Sequence, residues 1–267
     1  MNLAGKRVVV TGGSSGIGLA TARAVLAKGA RVLITGRRAS RLDEAVRDLR
    51  GAGDVSSAVA DVANDEGRAV TLAAAAGKLG GIDVLVNNAG GVRAGRLEAM
   101  SEAEIRAMIE VDLVAPILLT RAALPMLRAS GDGLIVNVAS AAALVGTPFY
   151  APYAGAKAGL SRFGEALRRE INGEGVHVLT VYPGATDTPM MQSSRAGPEL
   201  GFAREPAEAV AEAIVAGIEA DAIEVVRGGE VRRQMIALNR DDPAALDQRF
   251  AGMKAALAEA VRDHSAL

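Results

Sequence analysis

Nearly unbroken apolar runs at 8–11, 32–35, 55–60, 82–87, 134–140 and 176–183 alternate with segments of helical spacing at 17–28, 41–50, 64–78, 103–128 and 154–171. A short run of branched residues without polar alternation predicts a strand buried on both faces, as in a parallel sheet. Strand and helix taking turns along the chain predict a doubly wound α/β architecture with right-handed crossovers. A further helix opens at Glu205-Pro206, and 222–226 supplies a seventh strand. Beyond it, Asp241-Asp242-Pro243 places an acidic cap and a first-turn proline at the head of a last helix over 243–262. Leu246, Phe250, Met253, Leu257 and Val261 form its apolar stripe, which must be buried. Residues 1–227 thus form one domain with a sheet of about seven strands and helices on both faces. Residues 228–267 form a helical C-terminal extension, packed on that domain or on a partner subunit.

Composition narrows the chemistry. Only 3% of the 267 residues are aromatic, so the core is built from Ala, Val, Leu and Ile. A net charge of −1 gives no electrostatic case for nucleic acid or an anionic membrane surface. There is no cysteine, hence no thiol nucleophile or disulfide. The two histidines, His177 in a strand run and His264 near the end, are expected to be structural, and no metal site is expected. No leader-like segment and no run near the ~18 apolar residues of a membrane span is present. A cytoplasmic, soluble protein is the expectation.

Gly12, Gly16 and Gly18 fall where the first strand turns into the first helix, spaced G-x-x-x-G-x-G. Glycines there let the backbone turn tightly and approach a pyrophosphate, which the helix N-terminus then receives. Thr11, Ser14 and Ser15 add hydroxyls. The second strand ends at Gly36-Arg37-Arg38, where an acid would hold a ribose 2′-hydroxyl and an arginine accommodates a 2′-phosphate. The arginines favour NADP, with NAD as the other possibility. Asp61 and Val62, after the third strand, are placed to meet adenine.

Tyr153 and Lys157, four apart on a helix, project from one face. An ammonium beside a phenol lowers the phenol pKa and makes it a general acid or base. Ser140, at a strand end, can hold a carbonyl or alcohol oxygen against that tyrosine. The chain thereby resembles the classical short-chain dehydrogenase/reductase family over residues 5 to about 190. The motifs that carry the resemblance are TGGSSGIG at 11–18, Asp61-Val62, Asn87-Asn88-Ala89-Gly90, Ser140, Tyr153-x-x-x-Lys157, and Pro183-Gly184 with Thr188.

The resemblance implies a Rossmann-type dinucleotide-binding and catalytic domain over 1–227. Tyr153 would act as acid or base, Lys157 would lower its pKa and hold the nicotinamide ribose, and Ser140 would bond the reacting oxygen. Gly12, Gly16, Ile17 and Gly18 would line the pyrophosphate loop and Asn88 the adenosine ribose, with Asn87 tying strands together. Pro183, Gly184 and Thr188 would lie along the nicotinamide. Family members pair through the Tyr-Lys helix and the long helix before it, which implies a homodimer or homotetramer.

One departure stands out. The family's Val-Asn-Leu segment reads Val111-Asp112-Leu113. A carboxylate near Lys157 favours the ammonium and opposes a Tyr153 phenolate, so Asp112 joins the expected catalytic set. The substrate, a fairly hydrophobic ketone or secondary alcohol, is expected over Ser140 and Tyr153, walled by 141–150 and 189–204. Leu144, Phe149 and Met190 are the leading wall residues. Arg93, Arg96 and Arg195 read as solvated faces that could also attract an acidic substrate. The expected function is an oxidoreductase moving a hydride between NADP(H) and that substrate. The alternative is a cofactor-binding sensor or scaffold of the same fold, impaired in turnover through Asp112.

Overall fold

The computed structural model describes residues 1–267. Seven parallel strands form the central sheet: β1 (Arg7–Thr11), β2 (Arg31–Gly36), β3 (Val55–Val59), β4 (Val84–Asn87), β5 (Gly133–Val138), β6 (Val176–Tyr182) and β7 (Glu224–Val226). Their spatial order is β7-β6-β5-β4-β1-β2-β3. The central strands are buried on both faces because successive side chains enter opposite cores. On β1, Val8 and Val10 join one cluster with Val25, Leu26 and Ile214, while Val9 joins the other with Leu119, Ile135 and Leu167. The edge strands depart from the expectation of full burial: β3 is half-buried and its Val59 is exposed, and β7 carries exposed Val226.

Helices α1 (Gly16–Ala27), α2 (Ala39–Leu49) and α7 (Ala207–Glu219) supply residues to the first cluster. Helices α5 (Ala115–Ala129) and α6 (Ala151–Glu170) cover the other face, joined by the turn that follows α3 (Asp65–Ala74). The segment expected as one helix over 103–128 is α4 (Glu102–Ile109), a wider π-type turn at Glu110–Val114, and then α5, without a break. Asn87 bridges the layers: its Nδ2 donates to Asn137 Oδ1 on β5 at 2.9 Å and to Thr120 Oγ1 on α5 at 3.0 Å.

The C-terminal part holds two helices, α8 (Gly229–Asp241) and α9 (Pro243–Ala260). Asp242 caps α9, its side chain accepting from the Ala245 amide at 3.1 Å. The stripe on α9 is buried against the chain's own body: Leu246 and Phe250 pack with Val145, and Leu257 with Val92 and Ala94. Residues 265–266 then pair antiparallel with 92–93. No helix is long and apolar enough to cross a membrane.

Leu257 is fully buried. Leu257→Ala is expected to lower unfolding free energy by about 2–5 kcal/mol, read from denaturant melts. A loss below about 1 kcal/mol would show that α9 is not held on this body.

Candidate active site

The strand order reverses between β1 and β4, where an open parallel sheet forms its crevice beyond the carboxyl ends of the strands. A cleft of about 420 Å³ lies there. The β1–α1 loop forms one wall through Gly12, Ser14, Ser15, Gly16 and Ile17. Gly12 and Gly16 have φ of +63° and +53°, which side chains resist. Ser15 sits extended at the α1 N-cap without a side-chain cap, so first-turn amides remain free for an anion. Arg37 and Arg38, both exposed, line the cleft after β2, and their side chains make no ion pair or hydrogen bond in the chain.

Asp61, Val62, Asn88, Pro183, Gly184 and Thr188 complete the lining. Asn88 Nδ2 donates to the Thr11 carbonyl at 2.9 Å, bracing the glycine loop. Gly18 does not line the cleft. A Cβ there would stand 2.4 Å from Asn88 Nδ2 and 2.5 Å from the Gly12 carbonyl oxygen, so this glycine lets α1 pack behind the loop.

A second, largely apolar cavity adjoins the first, and Ser140, Pro183, Gly184 and Met190 line both. Tyr153 faces this cavity and Lys157 faces the cleft. Ser140 follows β5, its Oγ accepting from the Ala142 amide at 3.1 Å. Lys157 is buried; its Nζ donates to the Val138 carbonyl at 3.1 Å and stands 3.1 Å from Asp112 Oδ1 and 5.9 Å from the centre of the Tyr153 ring. Asp112 lies in the π-type turn, the irregularity that often marks functional sites. Its Oδ1 also accepts from the Gly91 amide at 3.3 Å, while the buried Oδ2 has no partner. Gly90 makes this approach possible, since a Cβ there would stand 2.5 Å from Asp112 Oδ1.

The family model for short chain dehydrogenases matches residues 6–199. The chain belongs to this family. It is therefore an oxidoreductase built on a Rossmann-like fold. It is similar to the ketoacyl reductase HetN of Nostoc, 34% identical over 256 residues that span 93% of this chain and 89% of the relative. The 3-oxoacyl-[acyl-carrier-protein] reductase FabG of Vibrio cholerae is 37% identical over 72% of this chain and 78% of its own. A crystal structure of a short-chain dehydrogenase from Streptomyces avermitilis superposes with a TM-score of 0.78 at 29% identity, covering 95% of this chain and 99% of that one. The family uses NAD(P)(H), and the free amides, the glycine loop and the unpaired arginines of the cleft fit such a dinucleotide.

Within this short-chain dehydrogenase the ionisation of the centre differs from the expectation of a lowered tyrosine. Burial pushes the Tyr153 phenol up, Lys157 and Ser140 pull it down, Asp112 pushes it up again, and the net direction is up. Burial pulls Lys157 down, but Asp112 and Tyr153 outweigh it, so its ammonium is held. Burial likewise pushes the Asp112 carboxyl above its ordinary range against the pull of Lys157.

Two of the expected wall residues pack beside the cavity. Leu144 does not line the cavity; it packs beside Val145, Leu246 and Phe250. Phe149 adopts φ of +71° and packs toward Val92 and Tyr150 instead of lining the cavity. Tyr150, Met190, Met191 and Phe202 do line it, joined by Arg232, Met235, Phe250 and His264 from the C-terminal part. The α9 stripe signalled part of this closure, but nothing in the sequence singled out Arg232 or His264.

His264 is buried, its Nδ1 3.0 Å from Ser193 Oγ and its ring edge-on to Tyr150 at 6.0 Å. Burial, with Arg204 and Arg93 adding to it, pulls its imidazole down to about 4. The folded state therefore holds His264 neutral where the unfolded chain, at about 6.5, binds a proton. Stability is full above about pH 6.5 and falls between there and about pH 4, by on the order of 2 kcal/mol after discounting for solvent screening. Denaturant melts across that range are expected to show this slope in the wild type and lose it in His264→Gln; equal slopes would refute the assignment.

Proposed function

We propose that this chain transfers a hydride between NADP(H) and a ketone or secondary alcohol, with Tyr153 as general acid in reduction and general base in oxidation. One observation carries the proposal: Ser140 and Tyr153 face an apolar cavity that opens directly onto the dinucleotide-sized cleft, and Lys157 stands behind the tyrosine in that cleft. When bound, the dinucleotide supplies or accepts the hydride.

The chain's own groups have the remaining tasks. Ser140 Oγ holds the substrate oxygen, and the Tyr153 phenol gives it a proton as the carbonyl carbon is reduced. The Lys157 ammonium, fixed by Val138 and Asp112, offsets the charge left on the phenol oxygen. Asp112 acts through Lys157 as a positioning residue. Ser14, Ser15, Gly16 and Ile17 receive the pyrophosphate at the α1 N-terminus, and Asp61, Val62 and Asn88 border the adenosine. Arg37 and Arg38, free of carboxylate partners, support a preference for the 2′-phosphate of NADP over NAD. The two bacterial relatives carry ketoacyl or oxoacyl reductase names, which supports a ketone as the group reduced.

NADPH oxidation with a panel of apolar ketones tests the proposal. Turnover is expected, at least about 10²-fold lower in Tyr153→Phe. The wild type is expected to prefer NADPH, and Arg37→Asp to shift the preference toward NADH. Tight cofactor binding without turnover on any ketone would favour a sensor instead, the reading that the carboxylate at Asp112 raises.

The Asp112 charge gives a separate check. Its removal takes away an upward push on Tyr153. The tyrosine must be deprotonated to act as a base, so in Asp112→Asn the rising limb of the alcohol-oxidation pH profile is expected at lower pH. An unchanged profile and rate would remove Asp112 from the mechanism.

A further inference from the structure

The apolar cavity over Ser140 and Tyr153 contains one charged side chain, Arg232, and no Asp or Glu lines it. His264, its other ionisable wall residue besides the tyrosines, is held neutral near pH 7 by burial. Arg232 belongs to the first turn of α8 and is half-buried. Its guanidinium makes no ion pair and no hydrogen bond in the chain, and no acid lies close enough to offset its desolvation.

Its neighbours behave differently. Arg233 is bound to Glu230 at 2.6 Å and Arg227 to Glu205 at 2.6 Å. The arginines read from sequence as solvated faces that could also attract an acid are neutralised too: Arg93 pairs with Glu104, Arg96 with Glu98, and Arg195 with Glu259. A guanidinium removed from water without a partner is unfavourable, and a ligand anion in the cavity would offset that cost. Its planar fork matches a carboxylate. A single cation among apolar walls suits one negative charge better than the double charge of a phosphate.

We infer that the substrate is an otherwise apolar ketone or secondary alcohol carrying a carboxylate, which Arg232 binds while Ser140 and Tyr153 hold the reacting oxygen. This rests on the proposed reductase site and adds the chemical class of its substrate.

The probes are 4-oxopentanoate, 6-oxoheptanoate and 8-oxononanoate, each beside its methyl ester, so that chain length samples the span from Arg232 to Tyr153. Each is titrated calorimetrically into the full chain with NADP⁺ present, and each is offered as substrate with NADPH. The wild type is expected to bind at least one acid about tenfold or more tightly than its ester, as a charge-assisted pair requires. The ratio should fall to near one in Arg232→Met and recover in part in Arg232→Lys. If no acid exceeds its ester, or if the preference survives in Arg232→Met, the inference is overturned. Acid-selective binding without reduction of any ketone would leave the Arg232 assignment standing and sink the reductase reading. Equal use of acids and esters would do the reverse.

Discussion

A buried ammonium has to be answered by its surroundings, and in this protein the answer to Lys157 fixes the centre of the molecule. Its charge is met by the Val138 carbonyl at the end of β5 and by Asp112 in the turn between α4 and α5. Asp112 in turn takes the Gly91 amide, beyond β4. Four separate segments are thereby held within hydrogen-bond distance of one charge pair. Such a pair is not a large net gain over apolar packing, but removing one partner leaves the other charge uncompensated, at about 3–5 kcal/mol. The helix accommodates Asp112 by widening locally to π geometry, and Gly90 accommodates it by having no side chain.

The same pair sets the character of Tyr153. Lys157 favours the phenolate, but Asp112 and burial oppose it. The net direction is up, away from the neutral range, so in the proposed reaction the phenolate that remains after proton donation relies on the Lys157 ammonium. An amide in place of Asp112 would keep hydrogen-bonding capacity without that opposing charge. The substitution of one atom type, oxygen for nitrogen, changes the electrostatics of the site while leaving its architecture intact.

Much of this was legible in the sequence, for identifiable reasons. Strands such as β1 and β5 are buried on both faces, so their residues form unbroken apolar runs. The glycine loop, Arg37-Arg38 and the Tyr153–Lys157 pair are local patterns, and their reading with Ser140 as one site came from the resemblance to a family. The rest depends on contacts that spacing cannot encode. Helix α8 buries no residue, so no apolar stripe announces it. Leu144 and Phe149 pack behind the residues that line the cavity, Phe149 on a left-handed backbone that no pattern of hydrophobicity reveals. The opposing pulls of Lys157 and Asp112 on Tyr153 are legible in the sequence, but the burial that decides the net direction is a property of the whole fold.

Net charge was the least informative feature, and the structure explains why. A total of −1 only says that acidic and basic residues nearly balance in number, and many of them pair on the surface, as Arg23 does with Asp48 and Arg128 with Glu174. The charges that line the cleft and the cavity are few. Arg37 and Arg38 stand unpaired over one end of the cleft, Lys157 and Asp112 neutralise each other at its centre, and Arg232 stands unpaired in the adjoining cavity. Two positive ends flank a neutral, proton-donating middle. In the proposed reaction, anionic groups of cofactor and substrate would be drawn to the two ends, and the bond that changes would sit between them. The amino-terminal part of the chain supplies the end shared with its family, and the C-terminal helices supply the other. On the proposed reading, substrate choice would rest with the segment whose packing, through Leu246, Phe250 and Leu257, places its residues against the cavity.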